Sequence, residues 1–369
     1  MKRKNDELLL LNKYTGDSRL LERLLQAADP LLRWYSHSAR PLPWRECPTA
    51  YRVWISEIML QQTRVEAVKP YYQRFLEALP DIPSLASVEE DRLMKLWEGL
   101  GYYSRARNLK RAAQETVERF GGQLPGDYEQ LLTLPGIGEY TAGAIASIAF
   151  GIPVPAVDGN VLRVAARITG DSGDITSPAM KKKVTAALQA VIPTGEPGNF
   201  NQAMMELGAT VCLPNGAPQC DKCPAASFCR ALVEDRIGEL PVKAPKKARR
   251  IEERRVYLIF SDDGVALRRR PGKGLLAGLW EYPNELIGEE TVLAALGLSP
   301  ADLELVGTGR HIFTHIEWRM TAYTARTEGL ALPEGWVWAD REALAREYAV
   351  PNAFQAFSEY VKGKLGYFS

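Results

Sequence analysis

Four of the five cysteines lie in one short segment and could hold a metal ion or a metal cluster. The segment CLPNGAPQCDKCPAASFC follows a predicted helix, and its spacing is C-x7-C-x2-C-x5-C: Cys212, Cys220, Cys223 and Cys229. Zinc sites usually pair two knuckles across a longer insert, whereas four thiolates in one compact loop suit a cubane iron–sulfur cluster. The spacing therefore favours a cluster over zinc, and Cys47 is expected to be a buried, inert thiol.

Two carboxyl groups are predicted to have opposite environments. Glu57 lies in VWISEIMLQQT, where most residues three and four positions away on a helix are apolar, so its carboxyl should be desolvated. Desolvation raises the pKa of an acid and lets it hold a proton near neutral pH. Asp158 precedes an apolar-periodic helix, where an aspartate commonly caps the helix and backbone amides favour the anion. One protonated acid and one fixed anion are what cleavage of a glycosidic bond needs.

Residues 134–143 read LPGIGEYTAG and predict a tight hairpin between two helices. Gly136 and Gly138 lack Cβ atoms, so the backbone can turn sharply and present its amides outward. The helix that follows adds the positive end of its dipole, and together these features suit a phosphate. A lone Gly-x-Gly, however, is more often a plain corner between helices.

The elements that must position these residues change in character along the chain. Apolar residues recur at helical spacing near 18–36, 51–66, 67–79, 89–96, 105–119, 139–150, 160–169, 178–192 and 200–211. After Pro245, VYLIF-SDDG-VALRR predicts two strands joined by a turn, and HIFTHIEWRMTAYTA alternates like one long strand. Helical patterns return near 288–296 and 351–363. We predict a mainly α N-terminal part over 1–239, a basic linker over 240–253 and an α+β domain over 254–369.

Composition limits the possible partners only weakly. Charged residues make up 25% of the 369 residues and the net charge is only +1, so no overall basicity indicates nucleic acid. Basic runs at 181–183, 243–255 and 268–270 are typical of solvated faces or linkers, although they do not exclude a DNA binder with its basic residues on one face. The apolar run of the opening MKRKNDELLLLNKY is too short for a signal peptide, and no stretch reaches transmembrane length. We expect a cytoplasmic protein with no membrane partner and no disulfides.

As a set, these motifs resemble one family. The hairpin, followed by VDGN (157–160) and the four-cysteine loop, is similar to the helix-hairpin-helix DNA glycosylases with an iron–sulfur cluster, and within them to the A/G-specific adenine glycosylases of the MutY family. The segments that carry the resemblance are PLPWR (41–45), SEIMLQQTRV (56–65), WEGLGYYSRARNL (97–109), PAVDGNVLRV (155–164), FNQAMMELGATVC (200–212) and GLLAGLWEYP (274–283). The first cysteine gap departs from the family, with seven residues in place of the usual six, and we expect the loop LPNGAPQ to absorb the extra residue.

The resemblance, which runs from about residue 30 almost to the C-terminus, implies a helix-hairpin-helix glycosylase fold with a Nudix-like C-terminal domain. A six-helix unit with the hairpin would span about 50–155, an iron–sulfur module about 15–50 plus 156–239, and a lesion-recognition domain 254–369. The implied cofactor is a 4Fe–4S cluster. The implied partner is double-stranded DNA with 8-oxoguanine:A or G:A mispairs, bound by a monomer associated with the bacterial nucleoid. No Nudix-box run of glutamates is present, so phosphohydrolase activity is not expected.

For catalysis, the resemblance implies that Glu57 protonates a flipped adenine and that Asp158 stabilises the oxocarbenium-like sugar. Asn160 and Tyr140 are expected to orient and support the Asp158 anion. In related bifunctional glycosylases the hairpin position of Tyr140 resembles a lysine that forms a Schiff base, which a phenol cannot form. We therefore expect a monofunctional enzyme that hydrolyses the N-glycosidic bond and leaves an abasic site.

The DNA-binding residues are likewise implied by the resemblance. Gln62 and Tyr102 would wedge into the space that the extruded nucleotide vacates, and Thr63 is a further DNA-binding residue. The adenine pocket would consist of Arg40, Leu42, Trp44, Arg45, Gln202 and Glu206. The segment that reads 8-oxoguanine would be Phe313, Thr314 and His315. Arg45 could equally be a surface arginine paired to a carboxylate, and His315 could be an ordinary strand-end histidine.

Two other interpretations are kept. A bifunctional glycosylase and lyase for pyrimidine lesions is disfavoured by Tyr140 and by the added C-terminal domain. A non-catalytic iron–sulfur protein that binds DNA or senses redox state is disfavoured by the inward-facing Glu57.

Overall fold

A computed structural model describes residues 18–245, 248–289 and 291–366. Within them the chain forms two compact units: residues 18–86 with 111–245, and residues 87–110 with the described residues from 248 onward. The opening MKRKNDELLLLNKY, for which the sequence predicts no signal peptide, lies outside the described residues. In the described part, no helix is both long and apolar enough to cross a membrane.

In the described part of the chain up to Pro245, the regular elements are helices. Thr49, Asp158 and Ser177 begin three of the helices by accepting a backbone N–H three residues on, which satisfies one otherwise unpaired donor of the first turn. The helices are α1 (Ser18–Ser38), α2 (Pro43–Glu46), α3 (Ala50–Leu60), α4 (Val65–Ala78), α5 (Ile82–Ser87), α6 (Glu90–Trp97), α7 (Ser104–Phe120), α8 (Tyr128–Leu132), α9 (Glu139–Phe150), α10 (Gly159–Thr169), α11 (Pro178–Val191), α12 (Pro197–Thr210) and α13 (Arg230–Val233).

The apolar faces of α1, α10, α11 and α12 share one core in the first unit. Two glycines allow the close approach of elements that border it. A Cβ atom on Gly208 would lie 2.6 Å from the Cβ of Asn160, and one on Gly143 would lie 2.4 Å from the carbonyl oxygen of Pro155. Only glycine fits at these two positions, so α12 packs directly against the start of α10, and α9 against the chain that leads into α10.

The second unit is built on a mixed sheet. Its elements after residue 248 are β1 (Arg250–Ser261), β2 (Gly264–Arg269), β3 (Trp280–Glu281), β4 (Asn284–Leu286), α14 (Thr291–Leu296), β5 (Glu304–Ile312), β6 (Ile316–Arg326), β7 (Trp336–Ala339), α15 (Arg341–Arg346) and α16 (Ser358–Lys364). The described strands lie in the order β3-β2-β1-β6-β5, with β4 also on β1 and β7 also on β2. β1 runs parallel to β6 and antiparallel to β2 and β4. A 3₁₀ segment, Asn352–Phe357, and α16 pack against one face, and α14 packs against the other.

Several details differ from the sequence prediction. β1 begins at Arg250, inside the predicted linker 240–253, because its first residues already pair with β6. The single strand predicted for HIFTHIEWRMTAYTA is two strands, since the chain turns at 313–315, where the Phe313 N–H donates to the Ile316 carbonyl. The helix predicted over 51–66 ends at Leu60. Residues 87–110, assigned by sequence to the helical part, group with the second unit. Cys47 is exposed rather than buried.

Candidate active site

A cavity of about 570 Å³ in the first unit brings together all four residues predicted for catalysis. α3 carries Glu57, the first turn of α9 carries Tyr140, and Asp158 and Asn160 lie at the start of α10. The predicted adenine-pocket residues and two predicted DNA-binding residues also line the cavity: Arg40, Leu42, Trp44, Arg45, Gln62, Thr63, Gln202 and Glu206. Residues from five separate chain segments thus meet around one space.

Glu57 has the buried environment that its neighbours predict. Only 7% of the residue is exposed, and desolvation raises the pKa of its carboxyl to about 7. The Tyr140 hydroxyl donates a hydrogen bond to Glu57 Oε2 and also lies 3.3 Å from the sulfur of Met205. The partner of Tyr140 is therefore Glu57 and not Asp158, the predicted one. Because the bond favours the carboxylate, it partly opposes the rise in pKa that burial causes.

Asp158 caps α10, as the sequence predicts. Its Oδ1 accepts the backbone N–H of Val161 at 2.8 Å, and its Oδ2 accepts Asn160 Nδ2 at 2.8 Å. These bonds favour the anion, but burial outweighs them and raises the pKa of Asp158 above its ordinary value near 3.8. The cap therefore favours the anion, as predicted, but desolvation, which the sequence analysis did not consider for Asp158, is the larger effect on its pKa.

Two arginines that the sequence analysis did not single out connect the start of α10 with the cysteine loop. Arg163 donates through Nη2 to Asn160 Oδ1 at 2.7 Å and through Nε to the Cys212 carbonyl at 2.9 Å. Arg167 Nη1 lies 3.3 Å from the Cys212 sulfur. Both arginines are buried. Their signal in the sequence is a charge at positions i and i+4 on the apolar face of VLRVAARI, the kind of signal that identified Glu57.

Glu206 is a buried carboxylate held by two arginines at the cavity wall. Arg40 donates from Nε and Nη2 at 2.7 and 2.8 Å, and Arg45 donates from Nη2 at 2.9 Å. These bonds outweigh burial and lower the pKa of Glu206 to about 2, so it is anionic throughout the neutral range. Arg45 thus pairs with a carboxylate, as in the alternative, but it is not a surface residue: its side chain is only 17% exposed and lines the predicted pocket.

Apolar walls complete this part of the cavity. Leu42 and Trp44 are both buried, and the Trp44 ring packs edge-on against Tyr72 with the ring centroids 5.5 Å apart. Gln202 lies one turn before Glu206 on α12 and also faces the cavity. The walls therefore offer apolar surface beside a few fixed polar groups, which is typical of small-molecule pockets.

Four of the predicted DNA-binding residues, Gln62, Thr63, Gly136 and Gly138, lie on two turns of the first unit. Gln62, between α3 and α4, has a left-handed backbone with φ of 58°, and Thr63 Oγ1 donates to the Gln61 carbonyl at 3.3 Å. In the hairpin, Gly136 has φ of 76° and Gly138 is the N-cap of α9 without a side-chain cap. A Cβ atom on Gly138 would meet no atom within 4 Å, so the amides that begin α9 are accessible to a ligand. The two hairpin glycines do not line the cavity.

The second unit holds the remaining predicted residues around a cavity of its own, of about 600 Å³. Tyr102 is 47% exposed, has φ of 48°, and its hydroxyl lies 3.3 Å from Thr314 Oγ1. The Phe313 ring packs edge-on between His311 and Trp318, at centroid distances of 4.5 and 4.9 Å. Thr314 and His315 are exposed at the turn. The predicted lesion-reading segment therefore presents two polar side chains on an aromatic base.

The four cysteines of the loop line one small, largely apolar cavity, and none of them forms a disulfide. Burial raises the pKa of the Cys223 thiol to about 12, whereas a metal would bind it as the thiolate. The Gln219 N–H donates to the Val211 carbonyl at 3.0 Å, so the seven-residue gap closes on itself and bulges outward. Among the described residues, no three cysteine, histidine or carboxylate side chains are placed as ligands of a single metal ion.

Comparison with known proteins adds the family context. The profile of the HhH-GPD superfamily of base excision DNA repair proteins matches residues 55–193, and a NUDIX domain profile matches 255–360. Adenine DNA glycosylase of Rattus norvegicus is 36% identical over 90% of this chain and 78% of its own, and that of Homo sapiens 36% over 85% and 70%. The structure of a thermostable thymine-DNA glycosylase is similar with a TM-score of 0.53 at 26% identity, covering 59% of this chain and all of the other.

Proposed function

The chain belongs to the adenine DNA glycosylase family, and on this premise we propose how its cavity hydrolyses the bond between adenine and deoxyribose. The reaction is the first step of base excision repair and releases the free base from DNA. The observation that supports the assignment is the shared cavity: a buried acid with a pKa near neutrality, Glu57, faces the same space as the capping carboxyl of Asp158.

Glu57 is the general acid of the proposed mechanism. With a pKa of about 7 it is substantially protonated at neutral pH, and it can transfer that proton to a ring nitrogen of adenine, making the base a better leaving group. Because the Tyr140 hydroxyl occupies Oε2, the other oxygen is the one left to face the base. General acid catalysis of this kind contributes roughly 10²–10⁴-fold in rate.

Asp158 stabilises the positive charge that develops on the sugar as the bond breaks. Asn160 and the helix start hold both of its oxygens, so the carboxylate does not need to reorganise during the reaction. Burial disfavours this anion in the absence of substrate, and a developing oxocarbenium ion close to it compensates for the lost hydration. Water then completes the hydrolysis.

The products distinguish this enzyme from a lyase. Tyr140 stands in the hairpin where a lyase would need a primary amine, and its hydroxyl is already engaged by Glu57. We propose that the reaction is monofunctional and leaves an intact strand with an abasic site.

We also propose that adenine opposite 8-oxoguanine is the preferred substrate, and that Thr314 and His315, at the exposed turn of the second unit, recognise the 8-oxoguanine.

DNA contact requires that the target nucleotide leave the stack. We propose that Gln62 and Tyr102 fill the vacated space and that the amides of the 136–138 hairpin bind a phosphate. Both proposed wedge residues have a left-handed backbone that non-glycine residues rarely adopt, and such strain is concentrated at functional sites.

The cysteine loop fits a 4Fe–4S cluster by its donor set. Cys212, Cys220, Cys223 and Cys229 share one cavity, and the Arg167 guanidinium beside the Cys212 sulfur offsets the negative charge of thiolate ligands. We propose that a bound cluster has a structural role and fixes the loop that follows α12. Arg163 connects this loop to Asn160, so the loop supports the position of the catalytic amide.

The test is incubation of the protein with a duplex containing one 8-oxoguanine:A pair, followed by strand analysis with and without hot alkali. Strand breaks should appear at the adenine only after alkali, because an abasic site is alkali-labile. A matched duplex with G:A should react more slowly. Breaks that appear without alkali, together with covalent trapping by borohydride, would show a lyase and contradict the proposal.

A further inference from the structure

The turn that carries Tyr102 has a left-handed backbone at three of the residues 99–102. Gly99 and Gly101 have φ values of 99° and 70°, and Tyr102 follows with φ of 48°. An aromatic residue rarely adopts this left-handed conformation, because its Cβ approaches the carbonyl oxygen. The Tyr102 side chain is 47% exposed, so no core encloses it. Contacts from the buried side of the turn must hold its geometry.

Arg105 supplies such contacts from the first turn of α7. Its Nη2 donates to the carbonyls of Leu100 and Gly101, both at 3.0 Å. Trp97 Nε1 donates to the same Gly101 carbonyl at 3.1 Å. Fixing this carbonyl fixes the peptide plane that leads into Tyr102, and therefore the direction in which the tyrosine leaves the turn.

The same guanidinium also contacts the tyrosine ring. Arg105 Cζ lies 5.6 Å from the centroid of the Tyr102 ring and 5.3 Å from that of Trp97, which is the range of cation–π attraction. The guanidinium is buried, and although burial lowers its pKa to about 10, it remains charged at neutral pH. One cation thus orients both the backbone and the ring of Tyr102.

We propose that Arg105 is a positioning residue for DNA binding: it holds Tyr102 in the conformation that enters the base stack when adenine is extruded. This inference rests on the proposed function and deepens it by naming the residue on which the wedge depends. A lysine at this position would keep the charge but not the planar group that donates to two carbonyls from one nitrogen and lies against a ring. Arg105→Lys is therefore the informative variant, since Arg105→Ala would also remove buried packing.

The test is a double-mutant cycle of Arg105→Lys and Tyr102→Ala, read by single-turnover release of adenine from an 8-oxoguanine:A duplex. Arg105→Lys should slow release about tenfold in the wild-type background and less than about twofold when Tyr102 is absent, because it acts through the tyrosine. Arg111→Lys, an exposed arginine on the same helix, is the matched control and should leave the rate unchanged. Equal losses in both backgrounds would overturn the proposal.

A binding measurement tests the inference independently of catalysis, and a second variant tests it by changing the turn itself. The fluorescence of 2-aminopurine beside the target adenine should rise on binding of the wild-type protein and rise less with Arg105→Lys; an equal rise would contradict the proposed role even if no adenine were released. Gly101→Ala adds a methyl group that meets no atom within 4 Å and so disturbs only the turn conformation at φ of 70°. Gly101→Ala should slow adenine release as Arg105→Lys does, and much less when Tyr102→Ala is also present. Release at the wild-type rate would contradict the proposal that the conformation of this turn positions Tyr102. Absence of adenine release by the wild-type protein would instead contradict the proposed function.

Discussion

At the scale of single residues, Glu57 stabilises the fold only while it is protonated. Its pKa of about 7 in the folded state exceeds the unfolded value of about 4.3, so its stabilisation is fully present below the unfolded pKa and is lost as pH rises through about 7. We expect Glu57→Gln, which cannot ionise, to gain up to ~3 kcal/mol in unfolding free energy relative to the wild type between pH 5 and 8. Urea unfolding at the two pH values measures this gain. Glu118→Gln, at an exposed glutamate, is the control and should show no such gain. If the unfolding free energies of Glu57→Gln and the wild type change equally between the two pH values, Glu57 is not desolvated.

Tyr140 tunes the acid to which it is bonded. The rate of adenine release requires protonated Glu57, so it should fall as pH rises above the pKa of that carboxyl. The Tyr140 hydrogen bond lowers this pKa, and Tyr140→Phe removes the bond while keeping the ring. The alkaline limb of the single-turnover pH–rate profile should therefore move to higher pH in Tyr140→Phe. Tyr128→Phe, at a tyrosine outside the catalytic cavity, is the control and should leave the alkaline limb in place. If the limb of Tyr140→Phe stays in place or moves to lower pH, the Tyr140 hydroxyl does not lower the pKa of Glu57.

At the scale of elements, Asp158 has a structural and a chemical role that substitutions can separate. Asparagine is as good an N-cap as aspartate and cannot ionise in the buried site, so Asp158→Asn should not destabilise α10 while it abolishes adenine release. Asp158→Ala should lose release and also ~1 kcal/mol of unfolding free energy. Asp127, the exposed N-cap of α8, provides the matched control: Asp127→Ala should cost a similar amount of stability with no loss of release. Thermal unfolding and single-turnover release decide between these outcomes, and appreciable release by Asp158→Asn would remove its carboxylate from the mechanism.

Local patterns predicted the elements well where one face of an element is apolar along its length. The periodicity around Glu57 identified both its helix and its burial, and the residues before α10 identified Asp158 as a cap. The features that local patterns could not predict depend on contacts between residues far apart in the sequence. The partner of Tyr140 is 83 residues away, and the largest effect on the pKa of Asp158 is its burial in the folded chain. The turn at 313–315 interrupts an alternating pattern that continues through it, so alternation alone could not place the strand ends.

At the scale of the whole molecule, the second unit is discontinuous in sequence, which no local pattern reveals. Residues 87–110 have a helical pattern and were assigned to the helical part, yet hydrogen bonds between side chains and main-chain groups connect them to the C-terminal sequence. The Asn352 side chain donates to the Gly99 carbonyl at 2.9 Å, and the Val350 N–H donates to Glu98 at 2.7 Å. Side chain to backbone bonds of this kind satisfy groups at the ends of short elements that have no partner within the element. The C-terminal sequence therefore depends on residues 87–110 for part of its own hydrogen bonding.

Lys95 makes this dependence measurable. Its Nζ donates to the carbonyls of Leu344 and Tyr348 at 2.6 and 3.2 Å, at and just beyond the end of α15, and pairs with Glu98 at 2.6 Å. Lys95→Met keeps the length of the side chain but leaves these carbonyls without their charged donor, which should cost about 1–3 kcal/mol. Amide exchange in residues 343–352 should accelerate, because the end of α15 would open more often, while exchange in the first unit stays unchanged.

Lys362→Met is the control: it removes only an exposed ion pair with Glu359 and should leave amide exchange nearly as in the wild type. Unchanged protection of 343–352 in Lys95→Met would mean that the C-terminal sequence is stable without residues 87–110.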